Sequence, residues 1–190
     1  MSKEKHSKLA PTDWLRAAFQ NLSLEGATAI KAEVLAKNLN TTKGSFYWHF
    51  KDVPAFKTEM LKLWEAEATT GIMVAVTSAT PKGPARLAVL ASMVSRMNAE
   101  NEYGGLRAEP AIREWARIDK QAATAMQRVD AARVSFVKRL FVESGFHVKD
   151  ARLRAELFYS GFLGLQAMAA IKPLDVGPRM AALLKLLLRV

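Results

Sequence analysis

Apolar residues recur along most of the chain at spacings of three and four, the period of one helix face. Between Thr12 and Leu24 they fall at Trp14, Leu15, Ala18, Phe19 and Leu22, with Thr12 placed to cap. Val34, Leu35 and Leu39 mark a second helix, Lys31 to Leu39, and Thr42 to Trp48 forms a third. Met60, Leu61, Trp64, Ile72, Met73 and Val76 give a long fourth from about Asp52 to Thr77. Further sets follow at Leu87, Leu90, Met93, Val94 and Met97, at Met126, Val129, Phe136, Val137, Leu140 and Phe141, and at Leu153, Leu157, Phe162, Leu165 and Met168. Strand-like alternation is missing. Gly26, Asn40, Pro54, Pro81 to Pro84, Gly104-Gly105, Gly145 and Pro173 to Pro178 punctuate the pattern. The expectation is an all-α fold of about nine helices. Residues 1–10 read as a flexible basic arm, 11–57 as a small helical head and 58–190 as a helical body.

One segment departs from the amphipathic pattern. Phe46 to Phe50 packs four aromatic rings and one His into five consecutive residues, between Lys43 and Lys51. A surface helix would interrupt such a run with a polar face. Just upstream, Asn40 stands where a helix must end, a position that suits the left-handed conformation. Thr42 can cap the next helix. Two short helices across so tight a turn make a helix-turn-helix, whose second helix enters the major groove of DNA N-terminus first. Lys43 can reach guanine acceptors or a phosphate, and Gly44 allows close approach. Ser45 can bond a base or a phosphate, and Tyr47 and His49 carry tips suited to phosphate oxygens. Lys51 adds a charge at the entrance of the following helix. Phe46 and Phe50 read as core plugs, with Trp48 grouped beside them.

The run Val34-Leu35-Ala36-Lys37-Asn38-Leu39-Asn40-Thr41-Thr42-Lys43-Gly44-Ser45-Phe46-Tyr47-Trp48-His49-Phe50-Lys51-Asp52 resembles the DNA-binding signature of the tetracycline-repressor-type (TetR) family of bacterial transcription regulators. The likeness reaches back to Asp13-Trp14-Leu15 and forward through Pro54-Ala55-Phe56. A looser one occurs at Ile112-Arg113-Glu114-Trp115-Ala116 and Leu153-Arg154-Ala155-Glu156-Leu157. The resemblance implies that Lys43, Gly44 and Ser45 face bases, while Tyr47, His49 and Lys51 meet the backbone. It also implies a small-molecule effector in the body, whose binding alters the spacing of two DNA-reading heads. Three positions depart from the family pattern. Asn40 replaces the usual Gly. Glu33 stands where a basic residue is frequent, with Lys31 or Lys37 to compensate. Val53 replaces a phosphate-binding Lys of some members.

Composition narrows the function further. The 190 residues carry a net charge of +10, which favours a polyanionic partner. Yet residues 1–57 hold 9 Lys+Arg against 5 Asp+Glu, so the surplus is only mildly concentrated in the head. The absence of Cys excludes disulfides, thiolate catalysis and Cys-ligated zinc. His6, His49 and His147 lack metal-ligand spacing. Neither Ser45 nor Ser144 lies in a nucleophile elbow, and Glu65 and Glu67, two apart on a helix, do not face one another. No catalytic residue, metal or cofactor is therefore expected. The apolar stretches Phe158 to Ile171 and Met180 to Leu188 are interrupted by Gln166 and Lys185, which argues against a membrane span and for a cytoplasmic protein. The expected partners are a double-stranded DNA operator, a second copy of the chain and an unidentified small-molecule effector. The alternative is a small-molecule-binding or adaptor protein with a vestigial DNA head.

In the body, Met and large aromatics suggest an adaptable pocket. Trp64, Met93, Met97, Trp115, Phe141 and Phe158 are the candidates for it. Arg107, Arg113, Arg117, Arg128 and Arg133 could favour an anionic ligand, but a solvated basic face interspersed with Glu109, Glu114 and Asp130 accounts for them more simply. The last two helices are the dimerisation candidates. Leu157, Gly161, Gly164, Leu165 and Met168 lie on one, and Leu183, Leu184 and Leu187 on the other, with the two glycines allowing a partner helix to come close. The stretch Ala181 to Leu188 is apolar nearly all round, which implies burial on several sides.

Overall fold

The computed structural model describes residues 9–80, 82–96, 103, 105–172 and 174–189. Most of the expected arm (residues 1–8) and Met97 lie outside them. Helix α1 (Pro11–Glu25) starts one residue earlier than expected. Pro11 fills its first position, and the Asp13 carboxylate accepts the Ala10 N–H at 2.8 Å, so Thr12 is not the cap. Trp14, Leu15, Ala18, Phe19 and Leu22 are all buried, as their spacing requires. A short 3₁₀ turn, Ala27–Ala29, leads to α2 (Ala32–Asn38), α3 (Lys43–His49) and α4 (Val53–Glu65).

The long fourth helix is present with one irregularity. α4 passes through a widened π turn, Ala66–Gly71, into α5 (Ile72–Ala79). A π turn accommodates extra backbone without ending the helix, and such turns concentrate at functional sites. The remainder is α6 (Pro84–Ser95), α7 (Gly105–Ala116), α8 (Lys120–Glu143), α9 (Val148–Ile171) and α10 (Val176–Leu187). Asp119 caps α8 through Gln121 N–H at 2.9 Å, and Asp175 caps α10 through Gly177 N–H at 3.2 Å. With α4 and α5 counted as one rod, the described residues hold nine helical rods.

The apolar interior forms two clusters. The first joins α1 to α4 with Ile112 and Trp115 of α7 and with Ala122 to Val129 of α8. The second joins Val76 of α5 with α6, the far half of α8 from Phe136 onward, α9 and α10. The first core therefore does not stop at residue 57; it continues through α4 into the body. The Lys57 ammonium lies 5.4 Å from the centre of the Trp115 ring across the same junction. On α8 the change from one cluster to the other falls between Val129 and Phe136, the stretch that carries Asp130 and Arg133.

Candidate nucleic-acid interface and effector cavity

The turn between α2 and α3 is fixed by local chemistry. Asn40 is left-handed (φ 50°), the sole non-glycine residue with positive φ among those described. Thr41 N–H bonds to Ala36 C=O at 2.9 Å, and Asn40 N–H to Lys37 C=O at 3.1 Å. Together these close a Schellman turn. Thr42 then caps α3, accepting Ser45 N–H at 3.3 Å, and Asp52 caps α4 through Ala55 N–H at 2.7 Å. The inner side of α3 is an aromatic nest. Phe46 packs edge-on to Trp14 at 5.4 Å and to Phe56 at 5.2 Å, and Phe50 meets Phe56 at 4.6 Å.

That packing orients the opposite face outward. Lys43, Gly44 and Tyr47 are exposed on α3, Lys51 follows it, and Lys31 is exposed at the start of α2. Ser45 and His49 are half-buried at the margins. Trp48 does not pack with Phe46 and Phe50 as the aromatic run suggested; it is 77% exposed, on the outer side. Lys43 makes an ion pair with Glu33 of α2, and its ammonium sits 5.9 Å from the centre of the Tyr47 ring. The hydrogen bond to Lys43 holds the Glu33 carboxyl below its usual range, and the same bond raises the lysine. The departure noted at Glu33 is thus a direct contact with the foremost base-reading candidate.

Between the two apolar clusters lies a polar belt. Arg113 of α7 bonds Asp130 at 2.6 Å, Glu109 at 2.8 Å and the Tyr159 hydroxyl at 2.9 Å. Arg133 of α8 bonds Glu109 at 2.8 Å, Tyr159 at 3.1 Å, the Thr69 hydroxyl at 3.0 Å and the Ala68 carbonyl at 3.1 Å. The Tyr159 hydroxyl donates to Asp130 at 2.7 Å. Burial opposes both guanidinium charges, but the hydrogen bond that Arg113 donates to Asp130 and the charge of Glu109 hold Arg113 above its ordinary pKa, and Glu109 and Tyr159 do the same for Arg133. Burial pushes the Tyr159 hydroxyl upward, and Glu109 and Asp130 add to this against the pull of Arg133, so it stays neutral. Arg113 and Arg133 are therefore not part of a solvated basic face. Arg107, Arg117 and Arg128 are exposed, the last paired with Glu65 at 2.8 Å.

A narrow cavity of about 50 Å³ opens against this belt, among the π turn, α5, α6, α8 and α9. Ile72, Met73, Leu90, Val94, Phe136, Val137, Phe158 and Phe162 supply its apolar wall; Ala68, Thr69, Glu109, Arg133, Tyr159 and Gln166 supply the rest. Of the pocket residues expected from sequence, Phe158 lines it. Trp64 stands behind, its ring 5.4 Å from the Arg133 guanidinium. Trp115 belongs to the head-side core, Phe141 is fully buried against Phe146, and Met93 packs half-buried on the second core. Composition drew attention to rings and Met, whereas the cavity is defined by where the belt interrupts the core. A larger open groove of about 790 Å³ runs between α6 and α10.

The expected dimer surface divides in two. Leu157 and Met168 are exposed on α9, with Leu153 and Ile171 on the same helix; Ile171 is 90% exposed. Gly164 is exposed and open, and Leu165 is half-buried. Leu184 and Leu187, by contrast, are buried in the chain's own second core. Gly161 does not await a partner helix either. A Cβ there would run into Leu183 Cδ2, so the glycine receives α10 of the same chain. α10 is buried on one side only, with Ala181, Ala182, Lys185 and Leu186 exposed. Among the described residues no cluster of His, Asp and Glu could hold a metal, and no helix is long and apolar enough to cross a membrane.

A capped helix-turn-helix head on an all-helical body with an internal cavity is the architecture these elements define. It is the fold of solved TetR-family regulators. A protein from Rhodococcus sp. assigned to that family superposes with a TM-score of 0.77 over 94% of this chain and 98% of its own, at 16% identity. The transcriptional regulator FadR from Bacillus subtilis, in complex with stearoyl-CoA, gives 0.73 over 94% and 98%, at 13% identity. SmeT in complex with triclosan gives 0.72 over 94% and 89%, at 14% identity. No protein-family model matches the sequence, and no curated protein matches it.

Proposed function

We propose that the chain is a TetR-type transcriptional regulator, a cytoplasmic homodimer that binds a palindromic operator and is released from it by a small-molecule effector. The observation that carries this reading is the outward face of α3. Its N-terminus is capped by Thr42, its rear is pinned by Phe46, and Lys43, Gly44 and Tyr47 stand free of the core. A recognition helix needs that arrangement. The exposed stripe Leu153, Leu157, Met168 and Ile171 on α9 suits a two-fold partner, which would set two heads about 34–36 Å apart or a multiple of that. The ligands of FadR and SmeT support an effector role for the cavity. The route from cavity to head is the α4–α5 rod, whose π turn is gripped by Arg133. An effector shifts DNA affinity only by binding two arrangements of that rod unequally.

Selection of bound duplexes from a random library tests the reading and should yield a palindrome. Lys43→Ala should then weaken the selected site by about 1–3 kcal/mol and relax its sequence preference. Lys51→Ala should weaken all duplexes alike and flatten the salt dependence. Recovery of no common site, with both variants binding as the parent does, would sink the assignment.

A further inference from the structure

We propose that the effector is an uncharged, mainly apolar molecule with one hydrogen-bonding group, read by the carboxamide of Gln166. This rests on taking the belt-side cavity as the effector site. Gln166 is 2% exposed, lines the cavity from α9, and its Oε1 has no hydrogen-bond partner among the described residues. Buried polar atoms are nearly always paired, so this one marks a bond still to be made. The oxygen and nitrogen of an amide exchange by a simple flip, so the group can serve a donor or an acceptor.

The charged groups beside the cavity are already committed to one another. Arg133 uses Nε for Thr69, Nη1 for Glu109 and Tyr159, and Nη2 for the Ala68 carbonyl. Both oxygens of Glu109 are taken, Oε1 by Arg113 and Oε2 by Arg133. Two guanidinium groups face two carboxylates across the belt, and Tyr159 stays neutral, so the net charge there is zero. An anionic ligand would have to draw Arg133 away from Glu109, leaving that buried carboxylate with Arg113 alone and one oxygen unbonded; a cation would have to draw Glu109 away from an arginine. A neutral ligand does neither. The resting space of about 50 Å³ is smaller than such a ligand, so binding requires Met73 to re-rotate and widen it between Ile72, Leu90, Val94, Phe158 and Phe162.

The same residue stands on the way in. A cleft of about 190 Å³ between α7 and α9 shares only Glu109 and Gln166 with the inner cavity. Glu109 is held by two arginines, and Gln166 is not held at its oxygen. Of the two side chains that separate the cleft from the cavity, Gln166 is therefore the one a ligand can displace.

The test uses the full chain and four eight-carbon probes: octanamide, 1-octanol, octanoate and octylamine. Thermal melting and calorimetry should show binding of the amide and the alcohol, with octanoate and octylamine at least tenfold weaker. Gln166→Leu should weaken octanamide by about tenfold, the loss of one buried hydrogen bond. If that variant loses its cooperative melt, Gln166→Asn shortens the reach and should give the same loss. Octanoate or octylamine binding as tightly as the amide would overturn the proposal. So would failure of all four probes, or unchanged octanamide affinity in the folded variant. Operator binding is measured separately. Octanamide binding that leaves operator affinity unchanged would remove the regulatory reading and keep the ligand class. Operator binding with no probe bound would do the reverse.

Discussion

Nothing among the described residues requires residue 44 to be glycine. A Cβ at Gly44 would meet only Thr42 Oγ1, at an ordinary 3.6 Å, and the residue lies within a helix. Its smallness serves whatever α3 approaches. Gly44→Ala should therefore leave thermal stability unchanged or raised by up to about 1 kcal/mol. The same change should weaken operator binding at least tenfold, as read by fluorescence anisotropy. Glu33 makes the opposite case. Its carboxylate occupies Lys43 and repels phosphate, so Glu33→Gln should tighten binding to all duplexes and steepen the salt dependence by roughly one counterion. At this scale the sequence was legible where rules are local. Asn40 in a left-handed turn and Thr42 as a cap depend on neighbours a few residues away. Trp48 was not legible, because a run of adjacent rings carries no phase. Its side of α3 is decided by Trp14 and Phe56, which hold Phe46 from α1 and α4. Arg113 and Arg133 failed for a related reason. Alone they read as surface charge; their partners lie up to 65 residues away.

Among the elements, the π turn and its latch carry the most consequence. The length and position of the α4–α5 rod followed from its apolar spacing, but the widened turn Ala66–Gly71 did not. It is marked by Thr69 and by a carbonyl that Arg133 takes up, and neither leaves a periodic signature. Arg133→Met removes the latch and leaves Glu109, which is 4% exposed, with Arg113 alone, so the belt carries one uncompensated negative charge. It should cost about 3–5 kcal/mol in chemical denaturation. Adding Glu109→Gln to that variant should recover part of the loss, because Arg113 and Asp130 then balance one another; strict additivity of the two changes would argue that the pair is not coupled. α10 taught a different lesson. A helix apolar nearly all round suggested burial on several sides, yet only Val176, Met180, Leu184 and Leu187 face inward, with Leu183 seated over Gly161.

For the whole molecule, the proposed association rests on α9. Leu157→Glu combined with Met168→Glu places charge on the exposed stripe without touching either core. The variant should sediment as a folded monomer at micromolar concentration and lose operator affinity. Leu184→Glu, inside the second core, should instead abolish the cooperative melt. The polar belt that divides the interior has one more consequence. Two apolar clusters separated by salt bridges and a small void, and bridged by α8, should open as two cooperative units. Amide hydrogens of α1 to α4 and α7 should exchange as one group, and those of α6, α9 and α10 as another, with different opening free energies. A molecule seated at the belt touches both units at once. Its binding should merge the two exchange groups into one, turning a protein that breathes in halves into one that opens as a whole.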